Sequence, residues 1–139
     1  MSKVITFSRY FPKGHIREGQ ETCFDIKILN GFKNHTIRKG SRWNAADIFS
    51  PRQWSEMPYK SKQRIICDDL KIKMIFDIKI INSVKKIFID SFFYCEIEES
   101  DKKLKVLAEN DGLSVEDFID WFKNDFEGQI ICWNKEIKY

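Results

Sequence analysis

The clearest pattern in the chain runs from Ile65 to Ile80. Polar and apolar side chains largely alternate through Lys71-Ile72-Lys73-Met74-Ile75-Phe76-Asp77-Ile78-Lys79-Ile80, the period of a half-buried strand. Lys86-Ile87-Phe88-Ile89-Asp90 and Phe92-Phe93-Tyr94-Cys95-Glu96-Ile97 continue in the same style, and Lys3-Val4-Ile5-Thr6-Phe7 predicts a first strand. Phe11-Pro12 predicts a turn, with Pro12 opening a short helix through Glu18. Phe24 to Leu29 leads to Asn30-Gly31, a helix stop or turn signal. Lys33 to Arg38 enters another strand, Lys39-Gly40-Ser41 turns, and Ala46 to Ser50 resumes a strand. Pro51 to Gln63 is polar, holds Pro51 and Pro58, and reads as a long lid-like loop.

Beyond the strand-rich middle the period changes. Leu104, Val106, Leu107 and Ala108 predict a helix over Lys102–Asn110, broken by Asp111-Gly112. Ser114 is a good N-cap for a further helix, with Asp117 three residues on and an apolar face of Phe118, Trp121 and Phe122. Gln129 to Trp133 and Ile137 close the chain as a last strand. Several strands with few short helices predict an α+β fold, a small mixed β-barrel with helices packed on it.

Composition narrows the class. The 139 residues are 42% hydrophobic and 14% aromatic, twelve of them Phe, enough for one domain over residues 1–139 with a substantial core. Apolar runs such as Met74-Ile75-Phe76 are far below a membrane span, and Met1 to Thr6 lacks the apolar run of a signal peptide, so a cytoplasmic protein without membrane contact is expected. Cys23, Cys67, Cys95 and Cys132 are widely spaced and His15 and His35 are the two histidines, which argues against a zinc knuckle and for reduced thiols; no metal or other cofactor is expected.

The net charge of +3 hides an asymmetry. Residues 33–64 hold eight Lys or Arg against two acids, whereas residues 95–139 hold six Lys against twelve acids. The basic stretch interleaves Arg38, Arg42, Arg52 and Lys60 with Trp43, Trp54 and Tyr59, a mixture suited to an anionic, stackable partner such as a nucleotide or RNA. Trp54 and Tyr59 are the better stacking candidates, because Trp43 fits a packing role. The bland alternative is a solvated basic face over core aromatics. The acidic C-terminal third argues against a protein that coats nucleic acid over its whole surface.

Ile5-Thr6-Phe7, then Asn30-Gly31-Phe32-Lys33-Asn34-His35-Thr36-Ile37-Arg38, then Trp43 and Asp47 resemble the ASCH domain, of the PUA-like β-barrel superfamily. Glu109-Asn110, Leu113-Ser114 and Glu127-Gly128-Gln129 extend the likeness to small bacterial ASCH proteins that act as N4-acetylcytidine amidohydrolases. The resemblance touches about half of the chain. It implies a PUA-like barrel, a metal-independent amidohydrolase acting on N4-acetylcytidine or a related modified nucleoside, and a catalytic set at Lys33, Thr36 and Glu109. The alternative it leaves is a non-catalytic ASCH module binding RNA or a nucleotide, and a small accessory protein with a protein partner is a third reading. Two segments depart from the pattern, since residues 13–30 and 51–63 are both enlarged.

Amide hydrolysis needs a nucleophile, an acceptor for its proton and a donor to the leaving amine. In the set that the resemblance implies, Thr36 attacks, Lys33 takes its proton, and Glu109 protonates the departing nitrogen or positions a water. A regular strand would send Lys33 and Thr36 to opposite faces, so the chain near Lys33 must still be turning for both to meet. Arg38 shares the face of Thr36 and suits a substrate oxygen or phosphate. His35 alternates away from Thr36 and reads as a structural or surface histidine.

Overall fold

The computed structural model describes residues 3–134 and 136–139. Among the described residues, twelve elements form two sheets and three short helices, an α+β arrangement. In the first sheet β1 (Lys3–Phe7) runs parallel to β3 (Ile48–Trp54), whose other edge pairs with β4 (Gln63–Ile65) and with β5 (Leu70–Lys71). The second sheet is antiparallel in the order β2 (His35–Lys39), β9 (Phe126–Cys132), β6 (Met74–Ile81), β7 (Lys86–Ile89), β8 (Phe92–Glu96). The helices are α1 (Phe24–Leu29), α2 (Lys102–Asn110) and α3 (Val115–Trp121).

The second sheet follows the period-two pattern. On β6, Phe76, Ile78 and Ile80 are buried while Asp77 and Lys79 are exposed. These isoleucines and Ile87, Ile89, Ile130 and Cys132 share one buried cluster with Leu104, Leu107 and Ala108 of α2. Asp101 caps α2 by accepting from the backbone N–H groups of Lys103 and Leu104. Ser114 caps α3 through its hydroxyl, which accepts from the N–H of Asp117 at 3.1 Å. Trp133 meets Phe7 edge to face and Phe49 at a tilt, joining the first sheet to the end of the second.

Three local expectations need correction. Residues 12–18 form turns instead of a helix, because Phe11 and Gly19–Gln20 hydrogen-bond across the segment and fold it back on itself. Pro51 to Trp54 belong to β3, so the loop is shorter than 51–63. Pro51 is tolerated there because the partner changes at that point: β5 pairs with Ile48–Phe49, β4 pairs with Arg52–Trp54, and Pro51 needs only its carbonyl, which accepts from Ile66. Ile137 is buried outside β9. The α+β class and the small mixed domain agree with the expectation; strand pairing among the described residues gives two sheets, with β1 at one edge and β2 at another. The four cysteines are free thiols, and no helix among the described residues is long and apolar enough to cross a membrane.

Candidate active site at the seam between the sheets

The free edges of β1 and β2 approach each other without a backbone ladder. A side chain spans the gap: Arg38 Nη2 donates to the carbonyl of Thr6 at 2.6 Å. A cavity of about 180 Å³ opens at this seam, with Thr6, Phe7 and Ser8 on one side and Thr36, Ile37 and Arg38 on the other. Lys33 and Asp111 form its polar end, and Phe24, Leu113 and Trp121 are part of its apolar wall.

Lys33 reaches this cavity because the chain is still turning. Residues 31–34 precede β2, and the N–H of Lys33 is held by the Lys27 carbonyl at the end of α1. The residue is 1% exposed, an unusual burial for a lysine. Its stem lies against Gly112, where a Cβ would come within 3.2 Å of the lysine Cβ and Cδ, and where φ is +80°. Only glycine meets both conditions. Nζ lies 4.4 Å from the Phe24 ring centroid and donates to Asp111 through the backbone oxygen at 2.5 Å and Oδ1 at 3.2 Å. Burial pushes the Lys33 ammonium down from its usual value to about 8, against the opposing attraction of Asp111; Arg38 and Lys27 add to the lowering.

Thr36 is 5% exposed, and its Oγ1 accepts from Arg38 Nε at 3.1 Å. That contact leaves the threonine proton free for another acceptor. The Arg38 guanidinium also lies 5.1 Å from the Phe7 ring centroid, and burial lowers its pKa from the ordinary arginine value.

Of the expected catalytic set, Lys33 and Thr36 share the cavity and Glu109 does not. The Glu109 side chain is 61% exposed, sits 3.9 Å from Lys105, and borders a different hollow. The carboxylate in the cavity belongs to Asp111, two residues on. The helical period accounts for the difference: Leu104, Leu107 and Ala108 mark the inward stripe of α2, and position 111 continues it while position 109 falls outside. That stripe was the signal for Asp111. Trp121 was read only as part of an apolar face, and nothing in its spacing tied it to Lys33.

The expected binding residues divide. Arg38, Trp54 and Tyr59 line the cavity, the last two with ring centroids 5.1 Å apart. Trp54 is buried, whereas Tyr59 is 86% exposed and stands at the mouth. Arg42 is exposed over Trp43, which packs in the core; Arg52 is half-buried and donates to Ser50 Oγ; Lys60 is exposed on the loop. None of these three lines the cavity. His35 is fully buried on the opposite face of β2 from Thr36.

No family model matches the chain, and neither the curated proteins nor the solved structures give a significant match.

Proposed function

We propose that the seam cavity is the site of an amidohydrolase that removes the acyl group from N4-acetylcytidine or a related modified nucleoside, on a PUA-like scaffold. The observation that supports it is a fully buried lysine, its ammonium pushed down to about 8, opening onto the same small aromatic-walled cavity as a threonine hydroxyl held by an arginine. An amine that is partly neutral at physiological pH is a competent general base, and a threonine needs such a base to attack.

In this reading neutral Lys33 takes the proton of Thr36 Oγ1 as the oxygen attacks the acyl carbon. The negative charge that develops on the carbonyl oxygen faces the Arg38 guanidinium. Collapse breaks the bond to the exocyclic nitrogen, which receives the proton from Lys33. Water then cleaves the threonine ester, giving free acid and restoring Oγ1. Asp111 orients the amine, so the chemistry calls on the chain's own groups. Tyr59 supplies a flat surface at the mouth for a heteroaromatic ring, with the buried Trp54 ring behind it.

The test is conversion of N4-acetylcytidine to cytidine by the purified protein, beside Lys33→Ala, Thr36→Ala, Asp111→Asn and Glu109→Ala. Turnover lost in the first two and retained in Glu109→Ala is the expected result. Turnover that survives both Lys33→Ala and Thr36→Ala would overturn the reading. Binding of RNA without turnover, weakening steeply with salt, would replace it with a binding module.

A further inference from the structure

Behind the cavity, on the core side of β2, lies a second polar cluster that the chemistry above does not use. His35 Nε2 is 2.5 Å from Tyr139 Oη, and Asn110 Nδ2 is 3.1 Å from the same oxygen. His35 Nδ1 lies 3.4 Å from Asp111 Oδ1, the oxygen that also faces Lys33 Nζ. The histidine and the aspartate are both almost wholly buried.

The donors fix the direction of this chain. An amide NH₂ can only donate, so Tyr139 Oη accepts from Asn110. The tyrosine hydroxyl then has one proton to give, and the acceptor beside it is His35 Nε2. That requires the histidine proton to be on Nδ1, aimed at Asp111. The opposite tautomer would leave the tyrosine proton without an acceptor here and set the Nδ1 lone pair against a carboxylate. Buried Nδ1 makes no formed hydrogen bond, and Asp111 Oδ1 at 3.4 Å is the acceptor its proton would face on this assignment.

We infer that His35 and Tyr139 are positioning residues of the seam site, holding Asp111 from behind so that it presents Oδ1 to the Lys33 amine. The inference rests on the proposed role of Lys33 as base. The N–H dipole of His35 draws on the charge of Asp111 and so loosens its hold on the ammonium. The groups around this chain keep their states while Lys33 titrates. Burial lowers the His35 pKa despite Asp111, with Lys33 adding to the lowering, so the ring stays neutral. Burial raises the Tyr139 pKa, with Cys132, Asp111 and Tyr94 adding to the rise and only Asn110 opposing it, so the hydroxyl keeps its proton. Around Lys33 itself stand Asp111, Arg38 and Lys27.

Nitrogen-15 NMR of the histidine ring in the intact chain tests the assignment directly. A protonated Nδ1 and bare Nε2 on His35 between about pH 6 and pH 9 is the expected signature; a protonated Nε2, or an imidazolium, would overturn it. Tyr139→Phe removes the hydroxyl donor. In that variant the Lys33 titration, followed by carbon-13 NMR at Cε, is expected to move up by roughly half a unit to one unit, and an unmoved titration in a folded variant would overturn the coupling. His35→Asn retains a donor near Nδ1 and is expected to keep the Lys33 value within about half of that shift, whereas His35→Leu is not; equal behaviour of the two would count against the inference. If wild-type protein leaves N4-acetylcytidine intact, the functional reading fails while these spectra still decide the tautomer.

Discussion

The seam cavity and the hollow on the outer face of the second sheet differ in a way that volume alone would misread. The outer hollow is about 810 Å³, more than four times the seam cavity, and is lined by Ile81 and Phe88 with Asp77, Lys79 and Glu127 around them. Its charged groups are exposed on β6 and β9, where water screens them. The seam cavity is small, yet it holds a lysine and an aspartate that are each less than a tenth exposed. Taking an ammonium and a carboxylate out of water costs several kcal/mol per ion before their attraction offsets it. Folding has absorbed that expense at the seam and not at the outer hollow, so the seam is where a chemical role has to be sought.

The sharpest way to break this contrast is to remove one lysine from each region. Lys33→Met is expected to lower kcat/KM for N4-acetylcytidine by about a thousandfold or more. Lys79→Met is expected to change it by less than about twofold. Equal losses in steady-state assays would abolish the distinction.

Next in size is the pH dependence of stability. The folded Lys33 titrates near 8 and the unfolded one near 10.5. Between those values the unfolded chain binds the extra proton, so stability rises with pH by this group. Below about pH 8 the full penalty of the buried ammonium is present, and above about 10.5 it is gone. Wild type is therefore expected to gain on the order of 3 kcal/mol relative to Lys33→Met across that window. Cys95 and Cys132, both pushed up to about 12 by burial, act in the opposite sense but are common to both proteins and cancel. Urea titrations at several pH values measure the difference, and parallel curves would show that Lys33 is not buried as a strained cation.

A smaller effect is expected of Gly112→Ala. The new methyl would press on the Lys33 stem in a left-handed backbone, with a loss of about 1–3 kcal/mol in thermal unfolding and lower turnover of N4-acetylcytidine. The smallest belongs to Glu109→Gln, where an exposed side chain beside Lys105 is expected to matter by less than about 0.5 kcal/mol in stability and about twofold in rate. A large rate loss there would move the working carboxylate back to Glu109.

Those two carboxylates also show how far the chain can be read unaided. The alternation of Phe76, Ile78 and Ile80, the caps Asp101 and Ser114, and the turn before β2 are local physics, and their geometry follows from neighbours in sequence. Lys33 and Thr36 were paired by the family resemblance, and the turn that lets both face the cavity was legible because it lies within the same short segment. That Asp111 lines the cavity and Glu109 does not was legible in principle from the apolar stripe of α2, but the family resemblance pointed to Glu109. What could not be read was nonlocal. Pro51 sits inside a strand only because two different partners meet around it. The link from Tyr139 through His35 to Asp111 joins a terminal segment, a strand and a helix end, and no spacing along the chain announces it. The open seam is likewise a matter of how two sheets meet, which strand patterns do not fix.

The central claim is that neutral Lys33 activates Thr36 on an acylated cytosine, and kcat/KM for N4-acetylcytidine against pH tests it most directly. The account predicts activity that rises tenfold per pH unit and levels off near pH 8 in wild type, with only background hydrolysis in Thr36→Val at every pH. Activity that stays flat from about pH 6 to pH 10, or a Thr36→Val variant that keeps the wild-type profile, would contradict it.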